Sequence, residues 1–352
     1  MTRYRGVPRF VLDLSAIAVL ALVLALADYG LDPYKLRILN LAGINTALAL
    51  ALNLVNGYSG QFSLGHAGFA AIGAYTTALL TMSPAQKQAV FFMVPLVSPL
   101  DQIQWPFLPS LVVAGIMAAI AGVLVGGPAL RLRGDYLAIA TLCFAEIIRV
   151  IFTNAKALTN GALGLKAIPP YTTIWWSWGF AVLVIVALRN LLASTYGRAL
   201  KGIRDDEVAA EAMGVSLFYH KMLAFVLSAG ISGVAGGLLA NLLTTIDPNM
   251  FRFLLTYQIL LIVVLGGMGS NTGSVIAAVV VTAAMELLRA VEQPFQIGPL
   301  ALPGIPGMRM VLFSALLVAV VLFFRQGLMG TRELGWQDLA VLCKRLGRRA
   351  VR

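Results

Sequence analysis

The sequence has few of the charged residues on which soluble proteins depend. Only 12% of its 352 residues are charged, whereas a soluble domain carries about 25%. Hydrophobic residues make up 59% of the chain and the mean hydropathy is +0.87, so polar surface is too scarce to cover a water-soluble globule. A soluble protein with an unusually apolar core is the alternative. The composition favours a chain for which lipid is the main solvent.

Cysteine and histidine are too scarce for most metal or redox sites. Cys143 lies in an apolar run and Cys343 in a basic tail, which provides no disulfide framework. The two histidines form no His-Glu-x-x-His motif, and no Ser/His/Asp arrangement is evident. We therefore expect no catalytic residue, no metal site and no cofactor bound by this chain.

The sequence also lacks the Walker A pattern G-x-x-x-x-G-K-[ST]. Its nearest glycine-rich stretch, residues 265–274, has no lysine to reach a phosphate, so ATP hydrolysis by this chain is not expected. The net charge of +11 raises the question of nucleic acid. The basic residues lie in short stretches between apolar runs, which indicates topology signals beside anionic lipid instead.

Apolar runs of about bilayer length, roughly 17–25 residues, recur along the whole chain. They predict an all-α, polytopic membrane protein with about ten transmembrane helices (8–10). The predicted spans are 10–27, 38–56, 61–82, 107–130, 135–152, 173–192, 222–246, 254–268, 274–291 and 308–325. Residues 57–68 are too polar and glycine-rich for a plain lipid-facing span, so we expect a broken or re-entrant segment there.

The distribution of Lys and Arg predicts that both termini are cytoplasmic. With ten spans in this orientation, 17 of the 26 basic residues lie in inner segments. Residues 1–330 form the predicted permease domain, with a cytoplasmic loop at 197–217, and residues 331–352 a basic cytoplasmic tail. The first apolar run is alternatively a cleaved signal peptide, because Arg3, Arg5 and Arg9 precede it.

The loop between the sixth and seventh spans has the features of a short docking helix. Asp205 and Asp206 suit a helix N-terminus, Gly214 suits its end, and Ala209, Ala210 and Met213 give a low-profile surface. Glu207 and Glu211 are spaced to share one face. A merely solvated connector explains the same residues equally well.

This loop resembles the coupling (EAA) loop of ABC importer permeases, which seats in an ATPase subunit. On that resemblance the coupling residues are Arg204, Asp205, Glu207, Ala209, Ala210, Glu211, Met213 and Gly214. The motif is not literal, because Val208 follows Glu207. Glu207 with Ala209 and Ala210, or Glu211 with Ala212, therefore corresponds to its acidic part.

Four further stretches resemble the permeases of branched-chain amino acid importers, the LivM-type family. They are NGYSGQFSLGHAGFAAIGAY at 56–75, RGDYLAIATLCFAEIIRV at 133–150, TNGALGL at 159–165 and LGGMGSNTGSVIAA at 265–278. The resemblance implies a bacterial inner-membrane permease with a second permease subunit, two ATPase subunits that bind ATP and Mg, and a periplasmic binding protein. Relatives of this fold resemble permeases for urea, short amides and aromatic acids, so the substrate stays open.

Polar residues inside the predicted spans are candidates for the translocation path. They are Asn45, Asn53, His66, Thr141, Glu146, Asn241 and Gln258. Hydrogen bonding between helices is the alternative for the uncharged ones. Glu146 with Arg149, and Glu286 with Arg289, are spaced i, i+3, so each pair can neutralise itself on one helix face.

Two other functions compete with an ATP-driven importer. An ion-driven secondary transporter would pair broken helices in two halves of the chain, and the glycine-rich stretches at 57–68 and 265–274 keep that alternative open. A membrane-embedded enzyme would need a catalytic cluster, which the sequence does not offer. An associated pair of ATPase chains would select the importer.

Overall fold

The structure is a computed structural model in which most of the chain is described. The described residues are 9–132, 134–289, 292, 295–297, 300–302, 307, 308, 311, 312, 314, 315, 318, 322, 327–330 and 333. Nearly all of the predicted tail and most of the predicted tenth span, 308–325, therefore lie outside the described residues.

The described part is almost entirely helical. Its α-helices are α1 (Arg9–Gly30), α2 (Pro33–Asn53), α3 (His66–Thr81), α4 (Pro84–Val90), α5 (Phe107–Ala129), α6 (Asp135–Asn154), α7 (Lys156–Thr159), α8 (Ile174–Ala193), α9 (Thr195–Asp205), α10 (Glu207–Ala212), α11 (Leu217–Leu243), α12 (Phe253–Gly266) and α13 (Asn271–Arg289). A π-helix (Leu54–Tyr58) extends α2, and two 3-10 turns lie at Gly161–Leu163 and Pro248–Phe251. The exception is a short antiparallel pair, β1 (Phe295–Ile297) and β2 (Leu300–Leu302).

Six helical segments are long and apolar enough to cross a bilayer, which confirms a polytopic all-α membrane protein. They are Pro33–Tyr58, Phe107–Ala129, Tyr136–Asn154, Ile174–Ala193, Leu217–Leu243 and Asn271–Arg289. Ser15–Gly30 and Phe253–Gly266 are shorter apolar helices, and α3 has 16 residues that are nearly all buried. Within the described residues this is fewer than the ten full spans predicted.

Helix α11 is the centre of the bundle. It packs against α2, α3 and α5, while α2 also contacts α8, α12 and α13. Lipid tails are as apolar as leucine, so helices in a membrane associate through close packing rather than through the hydrophobic effect. Small residues on the facing surfaces of α3 and α11 provide that packing.

Glycine is required where α3 crosses α11. A Cβ atom added at Gly73 would lie 1.8 Å from the carbonyl oxygen of Gly233, and one at Gly236 would lie 2.0 Å from that of Ala70. Both distances are far below van der Waals contact. The two backbones therefore touch directly, and no other residue fits without moving a helix.

Two spans are broken, at the places where the sequence is richest in glycine. Beyond Tyr58 the chain is non-helical until His66 begins α3, so the predicted break in 57–68 is confirmed. The second break, residues 267–270, separates α12 from α13. Gly267 and Gly269 have φ angles of +108° and +89°, which side chains disfavour.

The loop at 83–106 is organised around a buried lysine. Lys87 is 1% exposed, and its Nζ donates to the carbonyl oxygen of Leu100 at 2.6 Å and to that of Ile103. Burial of the ammonium lowers the pKa of Lys87, and the nearby Asp101 partly offsets that effect. The lysine therefore holds the loop together alongside the buried side chains of Phe91 and Leu96.

We expect Gly236→Ala to destabilise the bundle, because its methyl group has no room against the carbonyl of Ala70. Overpacking of this kind costs about 1–3 kcal/mol. Gly230→Ala is a matched control on the same helix, since its Cβ would lie 3.4 Å from the nearest atom, an ordinary contact. Thermal unfolding of the detergent-solubilised protein measures both. Equal melting temperatures for the two variants would contradict direct backbone packing of α3 on α11.

Candidate coupling site and translocation path

The predicted coupling residues lie on two helices rather than one. Arg204 and Asp205 end α9 and α10 begins at Glu207, so of the two aspartates predicted at the start of the docking helix it is Asp206 that lies there. Asp206 adopts an extended conformation between the helices, and its Oδ1 accepts from the backbone N–H groups of Val208 (2.9 Å) and Ala209 (3.0 Å). The side chain of Asp206 therefore stops one helix and caps the next.

The end of α10 is fixed by backbone geometry. Gly214 has a φ of +83°, and the N–H of Val215 donates to the carbonyl of Ala210 at 3.1 Å. This 6→1 bond after a left-handed residue is the Schellman arrangement, which glycine favours. The predicted role of Gly214 as a helix stop is confirmed.

The exposed side of α10 presents an apolar surface. Val208 is 78% exposed and Met213 84% exposed. Ala209, Glu211 and Ala212 are exposed as well, whereas Ala210 is buried and cannot contribute to an exposed surface, which corrects the sequence prediction. Val208 and Met213 are the side chains that a partner protein would cover.

Two polar contacts attach α10 and the end of α9 to the transmembrane helices. The Nζ of Lys221, on α11, lies 2.6 Å from Oε1 of Glu207. The Nη1 of Arg204 donates to the carbonyl oxygen of Gly57 at 3.3 Å, while its Nη2 pairs with Asp205 at 2.8 Å. Of the two candidate glutamates, Glu207 is therefore the one bonded to a transmembrane helix.

Arg204 reaches the point where the two broken spans meet. A Cβ atom at Gly57 would lie 2.4 Å from the backbone nitrogen of Gly269. Asn53, at the end of α2, also binds the segment between α12 and α13. Its Oδ1 accepts from the N–H of Gly269 at 2.8 Å, and its Nδ2 donates to the carbonyl of Ser270 at 3.1 Å. We call Asn53, Gly57, Arg204 and residues 267–270 the junction.

Most of the predicted path residues make hydrogen bonds that join different parts of the bundle. His66 is fully buried, and its Nε2 lies 2.6 Å from the hydroxyl of Ser228. That hydroxyl donates to the carbonyl of Ala51, also at 2.6 Å. The network assigns the ring proton to Nε2 and joins α3, α11 and α2.

The other uncharged candidates have comparable surroundings. Asn45 Nδ2 donates to Thr282 Oγ1 at 2.9 Å, linking α2 to α13. Thr141 Oγ1 accepts from the N–H of Leu64 at 3.0 Å, which anchors the non-helical segment to α6. Asn241 is buried; its Nδ2 donates within α11 to the carbonyl of Gly237 at 3.0 Å, and its Oδ1 accepts from the hydroxyl of Thr81 on α3 at 3.4 Å. Gln258 is half-buried on α12.

Glu146 differs from these residues because it lies on an exposed helix face. It is paired with Arg149 one turn away, as the spacing predicted, and Glu286 pairs with Arg289 at 3.2 Å in the same way. Eight residues separate Glu146 from the end of α6, a distance of about 12 Å. The surrounding groove is lined by Cys143, Glu146, Ile147, Val150 and Ile151.

Sequence patterns gave no signal for the contact between two residues beside the junction. The hydroxyl of Tyr58 donates to Oε1 of Glu333 at 2.6 Å, across 275 positions of sequence. Glu333 belongs to the stretch predicted as a separate tail, and its partners are far away in sequence. Among the described residues, no group of His, Cys, Asp or Glu could hold a metal ion.

Comparisons with known protein families and with known sequences point to the same family. Residues 34–321 match the family model described as branched-chain amino acid transport system / permease component. The chain is 36% identical over 306 residues to the high-affinity branched-chain amino acid transport system permease protein LivM of Escherichia coli, covering 77% of this chain and 68% of that protein. The Salmonella typhimurium protein of the same name is 36% identical over 276 residues, covering 69% of this chain and 60% of that protein.

The structural comparison is much weaker. The structural alignment with PsaBC from Streptococcus pneumoniae, solved in complex with Fab, covers 86% of this chain and 96% of the matched chain. The sequence identity is 14% and the TM-score is 0.41. A similarity at this level supports no conclusion about fold or function. The family model and the sequence relatives show that the chain belongs to the family of permease components of branched-chain amino acid transport systems.

Proposed function

We propose that this chain is the membrane-spanning permease subunit of an ATP-driven importer for branched-chain or related hydrophobic amino acids. The observation that carries the proposal is the exposed apolar surface of α10. Glu207 bonds this helix to α11, and Arg204, at the end of the adjoining α9, bonds to Gly57. In this account the chain is a multi-pass protein of the inner membrane. It has about ten spans, cytoplasmic termini, a permease domain over 1–330 and a basic tail over 331–352.

The partners follow from the same proposal. Two ATP-binding cassette subunits hold ATP and Mg, a second permease subunit completes the pathway, and a periplasmic binding protein delivers the substrate. This chain itself binds no cofactor. Substrate choice rests largely with the binding protein, so urea, short amides or aromatic acids are the alternative substrates for a permease of this fold.

Helix α10 is suited to seat in a groove of an ATPase subunit. Burying Val208 and Met213 would contribute roughly 1.5–3 kcal/mol for each side chain. Asp206 and Gly214 fix the two ends of the helix, so little conformational freedom is lost on docking. A solvated connector has no need of two highly exposed apolar side chains beside two defined caps.

A chain of contacts can transmit movement of α10 to the transmembrane helices. Arg204 contacts Gly57 at the end of the α2 span, and Gly57 touches the break between α12 and α13. Two broken spans that meet at one point can rearrange together when the attached helix is displaced. Glycine-rich breaks with these contacts are therefore as compatible with an ATP-driven importer as with an ion-driven secondary transporter.

The exposed face of α6 is the proposed contact with the second permease subunit. Tyr136 is 72% exposed, Ile139 57% and Ile147 50%, and the Glu146–Arg149 ion pair lies on this helix. Charged groups in a bilayer normally face protein or water rather than lipid. A partner on this face would cover the apolar residues and leave Glu146 beside the substrate path.

We expect a photoactivatable or cysteine-specific crosslinker at Met213→Cys to capture an ATPase subunit in the assembled complex. The matched control is Met250→Cys, a partly exposed methionine that the proposed topology places on the periplasmic side. Both variants are made without Cys143 and Cys343, and the products are identified by mass spectrometry. Capture of the ATPase from position 250, or from neither position, would refute the docking role of α10.

We also expect Ile147→Trp to reduce co-purification of the second permease subunit, because the larger ring cannot fit a packed interface. Leu124→Trp is the control, since Leu124 is 71% exposed on α5, outside the proposed contact. The yield of partner subunit per mole of this chain is measured after gentle solubilisation. Undiminished yield with Ile147→Trp would place the partner on another face.

A further inference from the structure

Residues 327–330 lie beside the junction and pair with the backbone at the end of α12. The N–H of Leu328 donates to the carbonyl of Leu265 at 2.7 Å, and the N–H of Met329 donates to that of Gly266 at 3.2 Å. These acceptors belong to the last turn of α12, whose carbonyls have no partner within the helix. We call residues 327–330 and 333 the C-terminal brace.

The fit of the brace is close enough to require glycine on both sides. A Cβ atom at Gly267 would lie 2.4 Å from the carbonyl oxygen of Gly330, and one at Gly327 would lie 2.6 Å from the nitrogen of Gly267. Both glycines have positive φ angles, +108° and +71°. The brace is therefore packed against the break between α12 and α13 by backbone contact.

Glu333 makes four hydrogen bonds, three of them to the beginning of α13. Its Oε1 accepts from the N–H of Asn271 at 2.7 Å and from the hydroxyl of Tyr58 at 2.6 Å. Its Oε2 accepts from the N–H of Thr272 at 3.2 Å and from the Thr272 hydroxyl at 2.6 Å. A carboxylate at this position also interacts favourably with the dipole of α13.

Tyr58 connects this carboxylate to the proposed coupling segment. Its side chain is 2% exposed, and the Nζ of Lys201, on α9, lies 5.9 Å from the centre of its ring. The preceding residue, Gly57, accepts the hydrogen bond from Arg204. Helix α9 thus touches both residues, and Glu333 holds the second of them against the start of α13.

We infer that Glu333 is a positioning residue for transport, which keeps Tyr58 and the first turn of α13 together so that movement of α10 reaches both broken spans. This inference rests on the proposed function of α10. Without the carboxylate, the contacts of Asn53 and Gly57 with residues 269–270 would remain, but the first turn of α13 would no longer be held to Tyr58 and would follow α9 less closely. ATP would then be hydrolysed without a matching movement of the translocation path.

The test uses the complete importer reconstituted in proteoliposomes, with leucine uptake and ATP hydrolysis measured together. Glu333→Gln keeps the shape of the side chain but loses its charge, and Tyr58→Phe removes only the hydroxyl donor. We expect each to lower the leucine transported per ATP at least about tenfold, the lower end of the factor that corresponds to one hydrogen bond to a charged group. Leu328→Ala is the control, because its exposed side chain is absent from these contacts and its N–H is retained.

A merely structural role for Glu333 would lower uptake and hydrolysis in proportion through loss of folded protein, leaving their ratio unchanged. An unchanged ratio in Tyr58→Phe, whatever its total activity, would overturn the inference. Faster hydrogen exchange at Asn271 and Thr272 in Glu333→Gln is a second expected result. Normal crosslinking from Met213→Cys in these variants, with an unchanged ratio, would reject the brace while keeping the proposed function of α10.

Discussion

The contact between Gly57 and Gly269 is the constraint on which the rest of the structure depends. At this point the π-helix that ends α2 meets the break between α12 and α13, with no space for a Cβ atom. Asn53 ties the two segments together with two hydrogen bonds, so their polar backbone groups are satisfied away from water. Arg204, at the end of α9, donates to the carbonyl of Gly57. The junction therefore joins the end of α2, the segment between α12 and α13, and the end of α9.

The polar residues inside the bundle mainly form hydrogen bonds that hold its parts together. His66, Ser228 and the carbonyl of Ala51 form one buried network, and Asn45 joins Thr282 in another contact. Such bonds orient closely packed helices whose facing surfaces are mostly glycine and alanine. The outward face of α6 is different, because it combines exposed apolar side chains with an ion pair. A path along that face, as proposed above, would need a second subunit to complete it.

Sequence reasoning found the features that repeat locally and missed those that depend on distant contacts. Apolar runs located the helices, glycine-rich stretches located both breaks, and Gly214 marked the end of α10 because its backbone angle leaves no good substitute. The two aspartates marked the start of α10, although the pattern did not decide between Asp205 and Asp206, and Ala210 was placed on the wrong side of α10. Tyr58 and Glu333 meet across 275 positions, which no local pattern encodes.

A distance measurement with spin labels tests the central claim, that α10 and the junction move as one unit. Labels at Met213→Cys and Met268→Cys report that unit, and labels at Met213→Cys and Leu124→Cys report movement relative to α5, all without the native cysteines. On ATP binding to the complete importer, the account predicts a constant 213–268 distance and a changed 213–124 distance. A changed 213–268 distance with a constant 213–124 distance would contradict it.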